Sequence, residues 1–406
     1  MALVTLLSLV PFAFSLVPVS IASRDLPGLR VGAFQGAKSA PRPASFDDLA
    51  GRAAAAREQG QLEEALSLYR KALAARSKWD EGRWYEATLL YELDRHGEAK
   101  AAFSEVLRRE PAHAGALGLR GLCEYELRQY EAALADLLDA RKMGVARSAG
   151  IAPVVTYHAA ILLTRAGEFE VANQMLTEFV PDGTDTPQVI EAFGLNVLRM
   201  PLLPSELPAP AREQVLLAGH AGYAIAARHV GPARTALDSL VTRYPKTPHA
   251  HYARGVFFLT EDSERALADF RRELEISPSH VPARLQIAFE YLKRGEAAEA
   301  LPVAVEAAKL APDHFAARLA LGQVLLEMKD IQRAIPELEK AANLAPGSPQ
   351  TQFMLARAYV RAGRAADAAR ARAEFTRLDQ IVRATRQGQQ SVGGIPTGGA
   401  GVDRPR

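Results

Sequence analysis

The pattern of apolar and polar positions in this chain repeats itself. A polar turn led by glycine and closed by alanine appears at Gly60–Ala65 (GQLEEA) and returns at Gly167–Ala172 (GEFEVA), Gly295–Ala300 (GEAAEA) and Gly363–Ala368 (GRAADA). The closing alanine marks a longer period, recurring at Ala65, Ala99 and Ala133 and again at Ala233, Ala266, Ala300, Ala334 and Ala368, at separations of 34 and 34 and then 33, 34, 34 and 34 residues. Ala172 fits with a longer gap. Twelve residues before each alanine, or eleven before Ala266, stands another small residue: Ala53, Ala87, Gly121, Ala160, Ala221, Gly255, Ala288, Gly322 and Ala356. This spacing predicts nine units, each made of two antiparallel helices, A and B, whose axes approach closely only where both side chains are small. The glycine between them suits a tight turn.

Other positions follow the same period. Four residues after the helix B alanine, Tyr69, Phe103, Leu137, Leu176, Leu237, Phe270 and Leu338 lie one turn along the same face and are expected to fill each hairpin. Proline stops helix B at Pro111, Pro245, Pro278, Pro312 and Pro346. Pro302 and Pro336 are expected in the first turn of helix B, where proline is tolerated. Residues 46–379 should therefore be almost wholly helical.

Together these small, aromatic and proline positions resemble the tetratricopeptide repeat family, whose signature is a 34-residue helix–turn–helix. The resemblance covers residues 46–182 and 214–382, about four and about five repeats, and suggests an exported bacterial type of the family. It departs at the tryptophan of early helix A, since Trp84 sits one place late, and the first and third units lack the terminal proline. The fold implied is all-α, an α-solenoid of about nine repeats in a right-handed superhelix. Residues 183–213 break the pattern: Thr186–Met200 has helical periodicity, and Pro201, Pro204, Pro208 and Pro210 follow. One helix and an extended connector are expected there, either a degenerate half-repeat joining two arrays or a docking loop. Residues 23–45 read as a linker, and 383–406 as a tail too poor in apolar side chains to order itself.

Composition narrows the function. Apolar residues make up 48% of the 406 positions but aromatic ones only 7%, which favours helix built from alanine and leucine. With 49 basic against 47 acidic side chains the net charge is +2, so nucleic acid is not expected as a partner. Eight arginines against three acidic residues do gather between Arg357 and Arg386. They fit either a polar cap on the last repeat or a surface for an acidic partner or anionic lipid. The single cysteine, Cys123, excludes an internal disulfide and a cysteine-based metal cage. Residues 1–22 carry no charged side chain and precede Ser23-Arg24-Asp25. They are expected to be a signal peptide, making the protein periplasmic or secreted, or else an uncleaved anchor in the inner membrane.

No catalytic constellation is legible, and neither an enzyme, a cofactor nor a metal is expected; the one enzyme reading the sequence leaves open is a site assembled from distant residues. The nine histidines include no H-E-x-x-H pair. His249 and His251 come nearest to a ligand pair, but residues i and i+2 of a helix point to different sides. Nucleophile elbows and phosphate loops are missing too. Ala50, Ala54, Tyr85, Gly115 and Leu119 occupy the places where related repeats clamp a partner's C-terminal carboxylate, and none can pair one. What the resemblance implies instead is a concave face lined by helix A that holds a peptide or helix of a protein partner. The candidates are Trp84, Tyr85, Tyr91, Leu122 and Tyr125 in the first array. In the second they are Tyr252, Val256, Leu285, Phe289, Leu319, Phe353 and Met354. So many apolar residues on a solvent-facing wall would mark an interaction site. Membrane contact is expected only through residues 1–22, if they stay attached.

Overall fold

The computed structural model describes residues 45–145 and 150–393. The expected signal segment, nearly all of the 23–45 linker and residues 394–406 lie outside them. Among the described residues there are nineteen α-helices and no strand, and no helix is long and apolar enough to cross a membrane. The chain divides into two compact units, residues 1–212 and 213–406.

The first unit runs α1 (Phe46–Glu58), α2 (Leu62–Ala75), α3 (Asp80–Glu92), α4 (His96–Arg109), α5 (Ala114–Glu126), α6 (Tyr130–Lys142), α7 (Ala152–Arg165), α8 (Phe169–Leu176) and α9 (Pro187–Val197). The first eight form four A/B hairpins. α9 is the odd helix expected near residues 186–200, and the proline-rich stretch after it holds two 3₁₀ turns, Pro204–Glu206 and Ala209–Ala211.

In the second unit come α10 (Arg212–Ala226), α11 (Val230–Arg243), α12 (Ala250–Phe258), α13 (Ser263–Ile276), α14 (Val281–Lys293), α15 (Ala297–Leu310), α16 (Phe315–Glu327), α17 (Ile331–Leu344), α18 (Pro349–Arg361) and α19 (Ala365–Gly393). The architecture is an all-α solenoid in which nine A/B pairs follow one another in sequence.

Each pair closes on its small residues. The eighteen helix A and helix B positions that carry the period are all buried. Glycine stands where alanine would be too large: a Cβ built on Gly255 would lie 2.6 Å from the Phe270 ring, and one on Gly322 would lie 2.6 Å from Leu338 Cγ. The seven large side chains one turn after the helix B alanine are at most 1% exposed. Every A helix except α12 ends in a residue with a left-handed backbone, Gly60, Gly167, Gly295 and Gly363 among them. At Asp94, Arg128, Arg228 and Lys329 a side chain adopts the same shape against its steric preference. The turn is therefore set by the hairpin and only assisted by glycine.

Two boundaries differ from expectation. Pro302 and Pro336 are the sixth residues of α15 and α17, in the second turn and not the first. Their missing N–H groups leave the carbonyls of Ala298 and Gln332 without the usual helical donor. α19 continues to Gly393, past the expected start of the tail at 383. Its exposed arginines pair along their own helix, Arg377 with Glu374 at 2.6 Å and Arg383 with Asp379 at 2.8 Å, as befits a polar cap.

Ala300 is fully buried where α15 meets α14. Replacing Ala300→Leu is expected to force the two helices apart and lower stability by roughly 1–3 kcal/mol. An unchanged urea midpoint would contradict the crossing described here.

Candidate functional site

Successive A helices touch, α3 with α5 and α5 with α7 in the first unit, α14 with α16 and α16 with α18 in the second. Each unit thus presents a face built from A helices, on which the twelve candidate residues fall into columns.

One column lies three residues before the small helix A position and faces the next hairpin. Trp84 stacks on His113, with ring centroids 4.7 Å apart, and meets Phe103 edge-on at 5.8 Å. Tyr252 stands in the same relation to His280 at 4.7 Å and to Phe270 at 5.8 Å. Leu285 packs with Ala307 of α15 and with Ala317 and Ala320 of α16, and Leu319 is buried likewise. Phe353 belongs to this column in the α18/α19 hairpin, the last among the described residues, and it is 44% exposed. The column one residue later faces the preceding hairpin. Tyr85 lies 5.5 Å from the Tyr69 ring, and the Arg57 guanidinium sits 3.6 Å above its own ring. Met354 shares a core cluster with Leu319.

Leu122, Leu285, Leu319 and Met354 are therefore not solvent-facing, contrary to expectation, because packing between repeats has already consumed them. What remains on the open side are Tyr91, Tyr125 and Phe289, each half-buried, and Val256, 41% exposed. They lie one or four residues after the small helix A position. Tyr125 touches the His158 ring at 4.7 Å and Tyr130 at 5.8 Å. Burial pushes the phenols of Tyr91 and Tyr125 up to about 12. Both stay neutral near pH 7, offering an apolar ring and one hydroxyl.

Beside Trp84 opens a cleft of about 480 Å³ lined by Asp80, Arg83, Arg109, Glu110 and His113. Both its arginines are paired: Arg109 binds Asp80 at 2.7 Å, and Arg83 lies 3.7 Å from Glu105 on α4. The result is an ion-paired crevice and not an apolar pocket.

His249 and His251 diverge, as the i, i+2 spacing requires. Burial by itself would raise Asp269, but hydrogen bonds from His251 at 3.0 Å and from Arg254 prevail and hold its carboxyl below the usual range. His249 turns the other way, to His280. With Glu273 the two form a cluster that sequence spacing does not signal, since His280 is 31 residues from His249.

The sequence pattern of the tetratricopeptide repeat family matches residues 86–144, 220–281 and 285–349, and a second pattern of the same description matches 325–374. Together they take in more than half of the chain. The hairpins α1/α2 and α7/α8 fall outside these matches and show themselves by their small residues. A comparison with curated proteins finds no match. Solved structures similar to the chain include the MamA RS-1 ArsTM double mutant, at 22% identity, covering 42% of this chain and 96% of that one, with a TM-score of 0.38. MamA 41-end from Desulfovibrio magneticus RS-1 is also 22% identical, with the same coverages and a TM-score of 0.37. Likeness at this level says nothing about function.

Cys123, next to Leu122 on α5, is fully buried, and burial pushes its thiol up to about 12. A thiol reagent at pH 8 is expected to leave the native chain unlabelled and to label it stoichiometrically in denaturant. Rapid labelling of the folded protein would show that α5 is not packed as described.

Proposed function

Since the chain belongs to the tetratricopeptide repeat family, we propose that it is a non-enzymatic scaffold that holds a peptide or helix of a partner protein against its A helices. The reading rests on one observation. After the hairpins have packed on each other, aromatic and aliphatic side chains at repeated positions, Tyr91, Tyr125, Val256 and Phe289, still keep part of their surface exposed. Rings anchored on one side and open on the other suit a docking surface, because they lose little entropy on binding and bring apolar area with a polar tip. Partly exposed apolar side chains recurring from repeat to repeat also fit an amphipathic or extended ligand read at regular intervals.

Export belongs to the same proposal, with residues 1–22 as the signal peptide. If that segment stays attached, the second reading is an assembly or export accessory tethered to the inner membrane, acting through the same face.

To test the scaffold reading, the mature chain is used to capture its partner, and Tyr125→Ala and Phe289→Ala are compared separately with wild type. Each is expected to keep its melting temperature within a few degrees and to bind about thirtyfold more weakly, the equivalent of about 2 kcal/mol. Wild-type affinity in both variants would remove the A-helix face as the site.

A further inference from the structure

One repeat departs from the others in three ways at a single place. α12 begins five residues before its small position Gly255, whereas α5, α14, α16 and α18 begin seven residues before theirs. The residue that precedes it, His249, has a left-handed backbone with φ of 66°. Seven residues after the helix B alanine, where other repeats bury Ala72, Val106, Ala140, Leu240, Ala307 and Ala341, α13 carries Glu273, which is 0% exposed. The Glu273 carboxylate accepts the backbone N–H of His249 at 2.8 Å and of Tyr252 at 3.2 Å, closing the bare end of the shortened α12. From the next repeat His280, the residue capping α14, places its Nε2 2.9 Å from His249 Nδ1. The two nitrogens and a carboxylate oxygen lie within 4.8 Å of one another.

We propose that His249, Glu273 and His280 form a binding site for a divalent transition-metal ion of the zinc class, tying the start of α12 to the start of α14. The donor set of two imidazoles and one carboxylate, without thiolate, suits such ions, with water as the fourth ligand. Tetrahedral ligands at bond lengths of about 2.1 Å stand about 3.4 Å apart, so small side-chain rotations bring the three groups into place. Each carboxylate oxygen uses one lone pair on a backbone N–H and keeps another for a metal. Protons balance as follows. Without metal, His280 accepts the Ala283 N–H on Nδ1 at 3.0 Å, so its proton is on Nε2 and points at His249. Metal at Nε2 moves that proton to Nδ1, and the Ala283 hydrogen bond is given up in exchange for ligation. The donor set uses none of Tyr91, Tyr125, Val256 and Phe289, so metal binding is tested independently of the proposed scaffold face.

The test uses the full chain without an affinity tag, stripped with chelator and titrated with zinc while melting temperature and calorimetric stoichiometry are followed. Cobalt(II) serves as a second probe through its visible tetrahedral absorption. His249→Asn and His280→Asn are suitable variants, since asparagine tolerates the left-handed backbone and caps helices but lacks the ring nitrogen. Wild type is expected to bind one zinc and to melt higher with it, and each variant, losing a direct ligand, to bind more weakly by at least the ~10–100-fold that loss of an outer-shell partner costs. Each shift is measured against that variant's own metal-free form. The proposal is overturned if zinc leaves the wild-type melting unchanged, or if the double variant keeps the wild-type shift or the cobalt absorption.

Discussion

The close crossing of helix A over helix B is the constraint on which the rest of this molecule depends. Where Gly255 and Gly322 pass Phe270 and Leu338, not even a methyl group fits without displacement. With the axes this close, the large side chain one turn further along helix B is enclosed on every side, which is why Tyr69, Phe103 and Phe270 lose essentially all their exposure. The apolar area removed from water at these rings and leucines, worth about 25 cal/mol per Å², accrues only if the small positions stay small. The left-handed turns at Asp94, Arg128, Arg228 and Lys329 show the consequence, since the hairpin imposes a strained backbone even where no glycine is available.

Stacking then decides what is left for binding. Two columns of helix A are used in joining one hairpin to its neighbours, Trp84 and Tyr252 facing forward and Tyr85 facing back. The side chains between these seams, Tyr91, Tyr125, Val256 and Phe289, keep part of their surface accessible. The surface left open by the assembly therefore recurs with the same period as its core, and this is the surface on which the proposed docking relies.

The period itself was legible in the sequence because it is written in residue size, and size is what the crossing selects. Nine pairs and the large buried residue after seven of the helix B alanines could be read from it, while the odd helix near 186–200 showed by its own helical periodicity where the period breaks. The exposed part of the A-helix face was legible only in part. Leu122, Leu285, Leu319 and Met354 look like surplus apolar residues along one helix, and it takes the neighbouring repeat, some thirty residues away, to show that they are covered. Pro302 and Pro336 were placed a turn too early because the period fixes the helix contact better than it fixes the helix start. The cluster of His249, Glu273 and His280 escaped for the same reason as the seams: its members meet only after α12, α13 and α14 have stacked. The one signal available was Glu273, a carboxylate in a column otherwise buried and apolar.

The crossing is tested most directly by adding one methyl group at a time. Gly51, on α1, has no atom within 4 Å of a built Cβ, whereas Gly255 and Gly322 have the Phe270 ring and the Leu338 side chain at 2.6 Å. Urea unfolding of Gly51→Ala is expected to show a gain of about 0.5–1 kcal/mol from improved helix propensity. Gly255→Ala and Gly322→Ala are expected to lose stability despite the same gain in propensity. If all three alanine variants were stabilised alike, close approach of helices A and B would not be what holds the repeats together.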